Sequence, residues 1–228
     1  MTNKKTELVF NRYEIILGTL FNQEILLLNN VYTSYISSAL VSYLISKYFI
    51  ILVFSVGKCT AFSQNLKVGD IVISNKLYLA DVDQTEEANA KLGQIPGFPA
   101  YYETQLDVFE YVSNALESRT YIPHFKGIYV SSNISYHNEN QLSEFVEGEY
   151  AFGENKNVVF DNVSGGVAVG CHLHNIPFVA VKVVSKHFGE KQTAKDYSVV
   201  LKNYAGVGKA IVTCVGDIGT NDIIRGDD

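Results

Sequence analysis

Residues Tyr35–Val56 read YISSALVSYLISKYFIILVFSV, 22 residues with one charge, Lys47. An apolar run of this length can cross a bilayer as a helix. Its internal pattern points elsewhere. Ser34, Ser37, Ser38 and Ser42 recur among the apolar residues as on one face of an amphipathic helix. Lys47-Tyr48 then separates that stretch from Phe49-Ile-Ile-Leu-Val-Phe54, whose β-branched and aromatic residues suit a buried parallel strand. The reading is a helix to about Tyr48 and a strand over Phe49–Phe54, in a soluble fold without a membrane span.

Working outward, the rest of the chain alternates in the same way. Tyr13–Leu20 and Glu24–Leu28 form a hairpin around Phe21-Asn22-Gln23. A strand over Asp70–Ser74 follows, then a long polar loop over Leu79–Phe98. The spacing predicts a helix over Thr104–Ser118 with Thr104 as its cap. Strands over Lys126–Ser131, Asn157–Phe160 and Pro177–Ser185 alternate with helices over Asn140–Gly148, Gly165–His174 and Thr193–Val215. Alternation with apolar strands implies one α/β domain, a mixed or mostly parallel central sheet flanked by helices. The domain is expected over 13–215, with tails at 1–12 and 216–228.

Composition narrows the partners. The chain has 228 residues, 47% hydrophobic, 18% charged, with a formal net charge of −6. Charge is below the usual ~25%, which excludes a disordered chain. The acidic balance gives no electrostatic basis for binding nucleic acid or an anionic membrane. Residues 1–20 lack the apolar core of a signal peptide, since Lys4 and Lys5 are followed by Glu7, Arg12 and Glu14. Cys59, Cys171 and Cys214 are scattered and odd in number, which reads as free thiols in a cytoplasmic, reducing setting. His172 and His174 flank Cys171 without metal-site spacing.

Leu66-Lys-Val-Gly-Asp-Ile-Val-Ile-Ser74, Asp81-Val-Asp83, Gly93-Gln-Ile-Pro-Gly-Phe-Pro99 and Asn175-Ile-Pro-Phe-Val179 occur in an order and spacing that resemble the nucleoside phosphorylase family. Within it they most resemble the 5'-methylthioadenosine/S-adenosylhomocysteine nucleosidases. The resemblance runs from about Tyr13 to Val215 and begins after the family's first strand. It implies the phosphorylase fold, no cofactor, a purine nucleoside ligand and a homodimer, with the Pro96–Pro99 segment and Tyr101 and Tyr102 near the partner.

It also implies a chemistry. Breaking the N-glycosidic bond needs an acid for the adenine, a carboxylate on the ribose hydroxyls and a base for water. At the family's acid Asp this chain has Lys186. At V-E-M-E-A it reads Phe160-Asp161-Asn162-Val163-Ser164, so the ribose carboxylate is Val163. The opening strand with the water-activating Glu has no counterpart. The G-S-A-G-G loop corresponds to Gly57-Lys58-Cys59-Thr60-Ala61, and the base-stacking Phe to Ser135, beside Tyr136.

Asp161 and Lys186 are thus the degenerate catalytic candidates, and Gly57, Lys58, Cys59, Ser135, Tyr136, Asn162 and Val163 the ligand-binding candidates. Plainer roles stand beside these: Asp161 as a helix cap, Lys186 and His187 as solvated loop residues, Asp81 and Asp83 as turn residues. The expectation is a nucleosidase-like protein that has lost its catalytic carboxylates, with an active hydrolase using altered residues as the alternative.

Overall fold

The computed structural model describes residues 1–218 except 89, 137–141, 143, 144, 146–151 and 153–155. Most of the helix expected at Asn140–Gly148 lies outside the described residues. The chain opens with a three-stranded antiparallel meander: β1 (Thr2–Val9), β2 (Tyr13–Leu20) and β3 (Gln23–Leu28). The hairpin is as expected, but residues 2–9 are a strand rather than a tail. Glu7 anchors β1 to the next helix, accepting from Lys5 Nζ at 2.7 Å, Lys47 Nζ at 3.1 Å and Tyr48 Oη at 2.9 Å.

Helix α1 (Ser34–Lys47) is capped by Thr33, whose hydroxyl accepts from the Ile36 amide. Its serines have partners. Ser34 Oγ donates to the Asn162 carbonyl and Ser37 Oγ to the Val163 carbonyl. Ser42 Oγ and His174 Nε2 share a hydrogen bond. No helix among the described residues is long and apolar enough to cross a membrane.

The strand after α1 begins later than expected. Strand β4 is Val53–Ala61, and Phe49 is 97% exposed. Its partner sets the start: pairing begins at Val53↔Phe178, just after Pro177, whose carbonyl takes the Val53 amide. Strand β5 (Ile71–Leu79) passes through an irregularity at Ser74/Lys76 and so outruns the expected Ser74. Before it, Gly69 sits at φ +99° with Val199 and Asn203 pressed against it, a position that favours glycine.

The loop after β5 holds a single turn, α2 (Thr85–Ala88), and leads to β6 (Tyr102–Glu103) and α3 (Leu106–Arg119). Thr104 does not cap α3; it is buried and hydrogen-bonded to Ser74 Oγ at 2.7 Å. Then come β7 (His124–Ser131), β8 (Val158–Asp161), α4 (Ser164–Leu173), β9 (Phe178–His187) and α5 (Ala194–Ile218). The last helix therefore continues past Val215.

The main sheet runs β6-β5-β7-β8-β4-β9, and β9 also pairs with β5. That extra antiparallel pairing, Ile71↔Val183 through Ile73↔Val181, closes five strands into a barrel-like ring. The β4–β9, β5–β7 and β7–β8 pairs are parallel, and β4–β8, β5–β6 and β5–β9 are antiparallel. The sheet is mixed rather than mostly parallel. Helices α3 and α5 cover one set of strand residues, including Ile71, Ile73, Val181 and Val183. Helix α4 covers another, including Val72, Cys59, Ala180 and Val184, with Val41 of α1 in the same cluster.

Helix α4 packs against α1 at very short range. A Cβ on Gly166 would sit 1.9 Å from the Ser34 carbonyl oxygen, and one on Gly170 3.1 Å from Val41 Cγ1. This contact fixes where the N-terminus of α4 lies.

Candidate functional site

The C-terminal ends of β7 and β8, the middle of β4 and β9, and the start of α4 meet in one buried polar cluster. At its centre Lys182 Nζ lies 3.2 Å from Asp161 Oδ2, with both side chains 3% exposed. Lys182 also donates to Ser55 Oγ at 3.0 Å, and Ser55 shares a 3.1 Å hydrogen bond with Ser164 Oγ. The carboxylate of Asp161 accepts from Ser131 Oγ at 2.8 Å, from the Ser164 amide at 3.2 Å and from Ser164 Oγ. A charge this deep is tolerated only when its lone pairs and protons are matched, as they are here.

Asp161 therefore does the work of a helix cap. Val163, the residue preceding α4, makes no side-chain cap, and Asp161 supplies the acceptor from β8. Ser131 Oγ accepts in turn from the Gly165 amide at 2.9 Å. The negative carboxylate at this end also suits the α4 dipole.

A second layer extends the cluster toward the surface. Asp81 Oδ2 accepts from the Asn133 amide at 2.7 Å and from Asn133 Nδ2 at 2.8 Å. Asn133 Oδ1 accepts from the Ser34 amide at 2.8 Å, tying this turn to α1. Asp83 accepts from the Thr85 amide and hydroxyl. Both aspartates serve turns and caps, and no group of three metal-binding side chains occurs among the described residues.

The expected site residues divide. Gly57 lies under the Lys182 side chain: a Cβ there would stand 2.9 Å from Nζ. Cys59 is buried beside the pair; burial pushes its thiol far up and the Asp161 charge adds to that. Asn162 Nδ2 donates to the Ser132 carbonyl at 2.8 Å, and half-buried Val163 packs on the α4-side core. Tyr136 donates to the Ala80 carbonyl at 3.3 Å and sets its ring edge-on to Phe160. Lys58 and Ser135 are exposed. Half-buried Lys186 pairs through its backbone with Thr60 at the end of β9.

Sequence reading missed Lys182 as a site residue, with Ser55, Ser131 and Ser164. A signal was available: Lys182 interrupts the apolar run Pro177–Ser185. A lysine in a strand buried on both sides must have a buried partner.

A separate cleft of about 610 Å³ opens between the C-terminal half of α4 and the segment before α3. It is lined by Pro99, Tyr101, Tyr102, Gln105, His172 and Pro177, among others. Tyr102 is 5% exposed, and its hydroxyl has no hydrogen-bond partner among the described residues. Burial pushes that phenol up to about 12. The His172 ring stands 5.4 Å from Phe98 and 5.5 Å from Tyr102, centroid to centroid.

Known proteins similar to this chain form a consistent set. A 5'-methylthioadenosine/S-adenosylhomocysteine nucleosidase of Bacillus cytotoxicus is 26% identical over 178 residues, covering 78% of this chain and 74% of the relative. The fold matches the nucleosidase of the same name from Neisseria meningitidis in complex with methylthio-immucillin-A. The TM-score is 0.82 at 23% identity, over 95% of this chain and 91% of that one. It equally matches the Colwellia psychrerythraea enzyme in complex with adenine, with TM-score 0.82 at 19% identity over 95% and 87% of the two chains. The model of the phosphorylase superfamily matches residues 2–214. With its mixed sheet, its flanking helices and nearly its whole length accounted for, the chain belongs to the phosphorylase superfamily.

Proposed function

We propose that this chain is a nucleosidase-like protein that binds a purine nucleoside and does not hydrolyse it at the rate of its relatives. The observation that carries this reading is the commitment of Asp161. Its carboxylate is enclosed by Lys182, Ser131 and Ser164 and has no surface to offer a ligand. The two positions that would have to supply charge beside it are Val163 and Lys186. Valine can neither accept from ribose hydroxyls nor carry charge, and an ammonium has the wrong sign for a carboxylic acid. Loss of one such group typically costs ~10²–10⁴ in rate.

Ligand binding is supported by kinship. The solved neighbours include complexes with methylthio-immucillin-A and with adenine. Three buried cysteines, none in a disulfide among the described residues, suit a cytoplasmic protein. A homodimer is supported by the resemblance and by the cleft around Tyr102, whose buried hydroxyl has no hydrogen-bond partner among the described residues.

Thermal unfolding with 5'-methylthioadenosine, S-adenosylhomocysteine or adenine tests the binding. A ligand at a hundred times its Kd adds about 2.7 kcal/mol, several degrees in Tm for a domain of this size. At least one of the three should raise Tm. No shift with any of them at millimolar concentration overturns the reading.

A further inference from the structure

Strand β4 has a neighbour on both sides only at its end. It pairs with β9 from Val53↔Phe178 to Ala61↔His187. On its other side it meets β8 only at Thr60 and Ala61. From Val53 to Cys59 that second side carries no strand among the described residues, and the β1-β2-β3 meander forms a separate sheet.

The ladder identifies the groups left over. Successive residues of a strand aim their N–H and C=O to opposite sides. The Val53 amide donates to the Pro177 carbonyl at 3.1 Å, toward β9. Ser55 and Gly57 therefore also face β9, and Phe54, Val56 and Lys58 turn their main-chain groups to the bare side. Those groups have no main-chain partner among the described residues. The side chains fit an open edge. Phe54 and Val56 are only half-buried, against the cluster under α5. Lys58 is exposed and forms no ion pair among the described residues. One lysine at the far end leaves the Phe54–Val56 half unguarded, and a bare edge of this kind templates a further strand.

We propose that this side of β4 docks an extended segment of another polypeptide, which adds a strand beside Phe54–Lys58. Main-chain hydrogen bonds supply the affinity and the side chains the selectivity. Phe54, Val56 and Lys58 share one face of the strand, so the matching face of the segment has apolar residues beside the first two and an acidic residue beside Lys58.

Residue-resolved amide hydrogen exchange tests this with two end-blocked peptides, Glu-Thr-Val-Thr-Val-Thr-Glu and its counterpart with lysine at both ends. Their symmetry serves either strand direction. In the free protein the amides of Phe54, Val56 and Lys58 should exchange at least about tenfold faster than those of Ser55 and Gly57. The glutamate peptide at millimolar concentration should slow those three severalfold, and a version N-methylated at each residue should not. Wild type should prefer the glutamate peptide about threefold, and Lys58→Glu should reverse that preference, as expected for one charge pair across strands. Any of four results overturns the docking edge: amides already protected in the free protein, no slowing by either peptide, equal slowing by the N-methylated version, or a preference that Lys58→Glu leaves unchanged. Protection that grows on concentrating the protein alone assigns the edge to a second copy and overturns a separate polypeptide as its occupant. All of these outcomes leave nucleoside binding untouched.

Discussion

Lys182 on β9 and Asp161 on β8 form an ion pair, Nζ to Oδ2 at 3.2 Å, with each side chain 3% exposed. The pair buries a carboxylate that the family resemblance had put forward as a catalytic candidate. Removing one partner strands the other charge in the interior. Lys182→Met should therefore cost about 3–5 kcal/mol of stability. Adding Asp161→Asn should cost little more, because the stranded charge is gone. Urea denaturation of the two single variants and the double variant gives the coupling.

The close approach of α1 and α4 makes a second prediction. Gly166→Ala places a Cβ 1.9 Å from the Ser34 carbonyl oxygen and 2.3 Å from Ser37 Oγ. The first is backbone and cannot rotate away, so the helices must separate. A loss of about 2–3 kcal/mol or more is expected, read from the midpoint of urea unfolding. Gly189→Ala probes a different cost: its φ of +76° strains a side chain, but nothing lies within 4 Å. It should cost only about 1 kcal/mol.

Glu7 gives a pH dependence with a definite sign. Hydrogen bonds from Lys5, Lys47 and Tyr48 hold its carboxyl down at about 2, below its ordinary value near 4.3. A folded value below the unfolded one stabilises the fold above the unfolded value, and that contribution is lost as pH falls toward 2. Wild type should therefore melt above Glu7→Gln at neutral pH, and the difference should shrink below about pH 4 and vanish only below about pH 2. The cluster is at the surface, so added salt should shrink the difference.

The thiols make a chemical prediction. Cys59, Cys171 and Cys214 are all buried. Burial pushes the Cys171 thiol up to about 12 and the Cys59 thiol further. Thiolate is the reactive form. A disulfide reagent at mildly alkaline pH should leave the folded protein unlabelled and titrate three thiols per chain in denaturant. Rapid labelling of folded protein would contradict the packing.

How much of this was legible in the sequence differs by residue. The Tyr13–Leu28 hairpin, α1 and β9 declared themselves through local pattern, and the serines of α1 marked the face that meets α4. The start of β4 did not, because it is set by Pro177, more than a hundred residues away in sequence. The closure of the barrel was invisible for the same reason: Val72 faces Lys182 only across a long-range antiparallel pairing. At the site, Val163 and Lys186 were read, through the resemblance, as departures from the family pattern. The capping role of Asp161 was readable as the plainer alternative; its burial in an ion pair was not, since that depends on Lys182, Ser131 and Ser164 arriving from three different elements.

The proposed nucleoside site without carboxylates for hydrolysis has a direct kinetic consequence. Adenine released from 5'-methylthioadenosine, followed by chromatography beside the Bacillus cytotoxicus relative, tests it most directly. Release should be more than about a hundredfold slower than from that enzyme, the cost of even one missing catalytic group. Release within a hundredfold of it would show that other residues do the chemistry, and would rule out loss of hydrolysis.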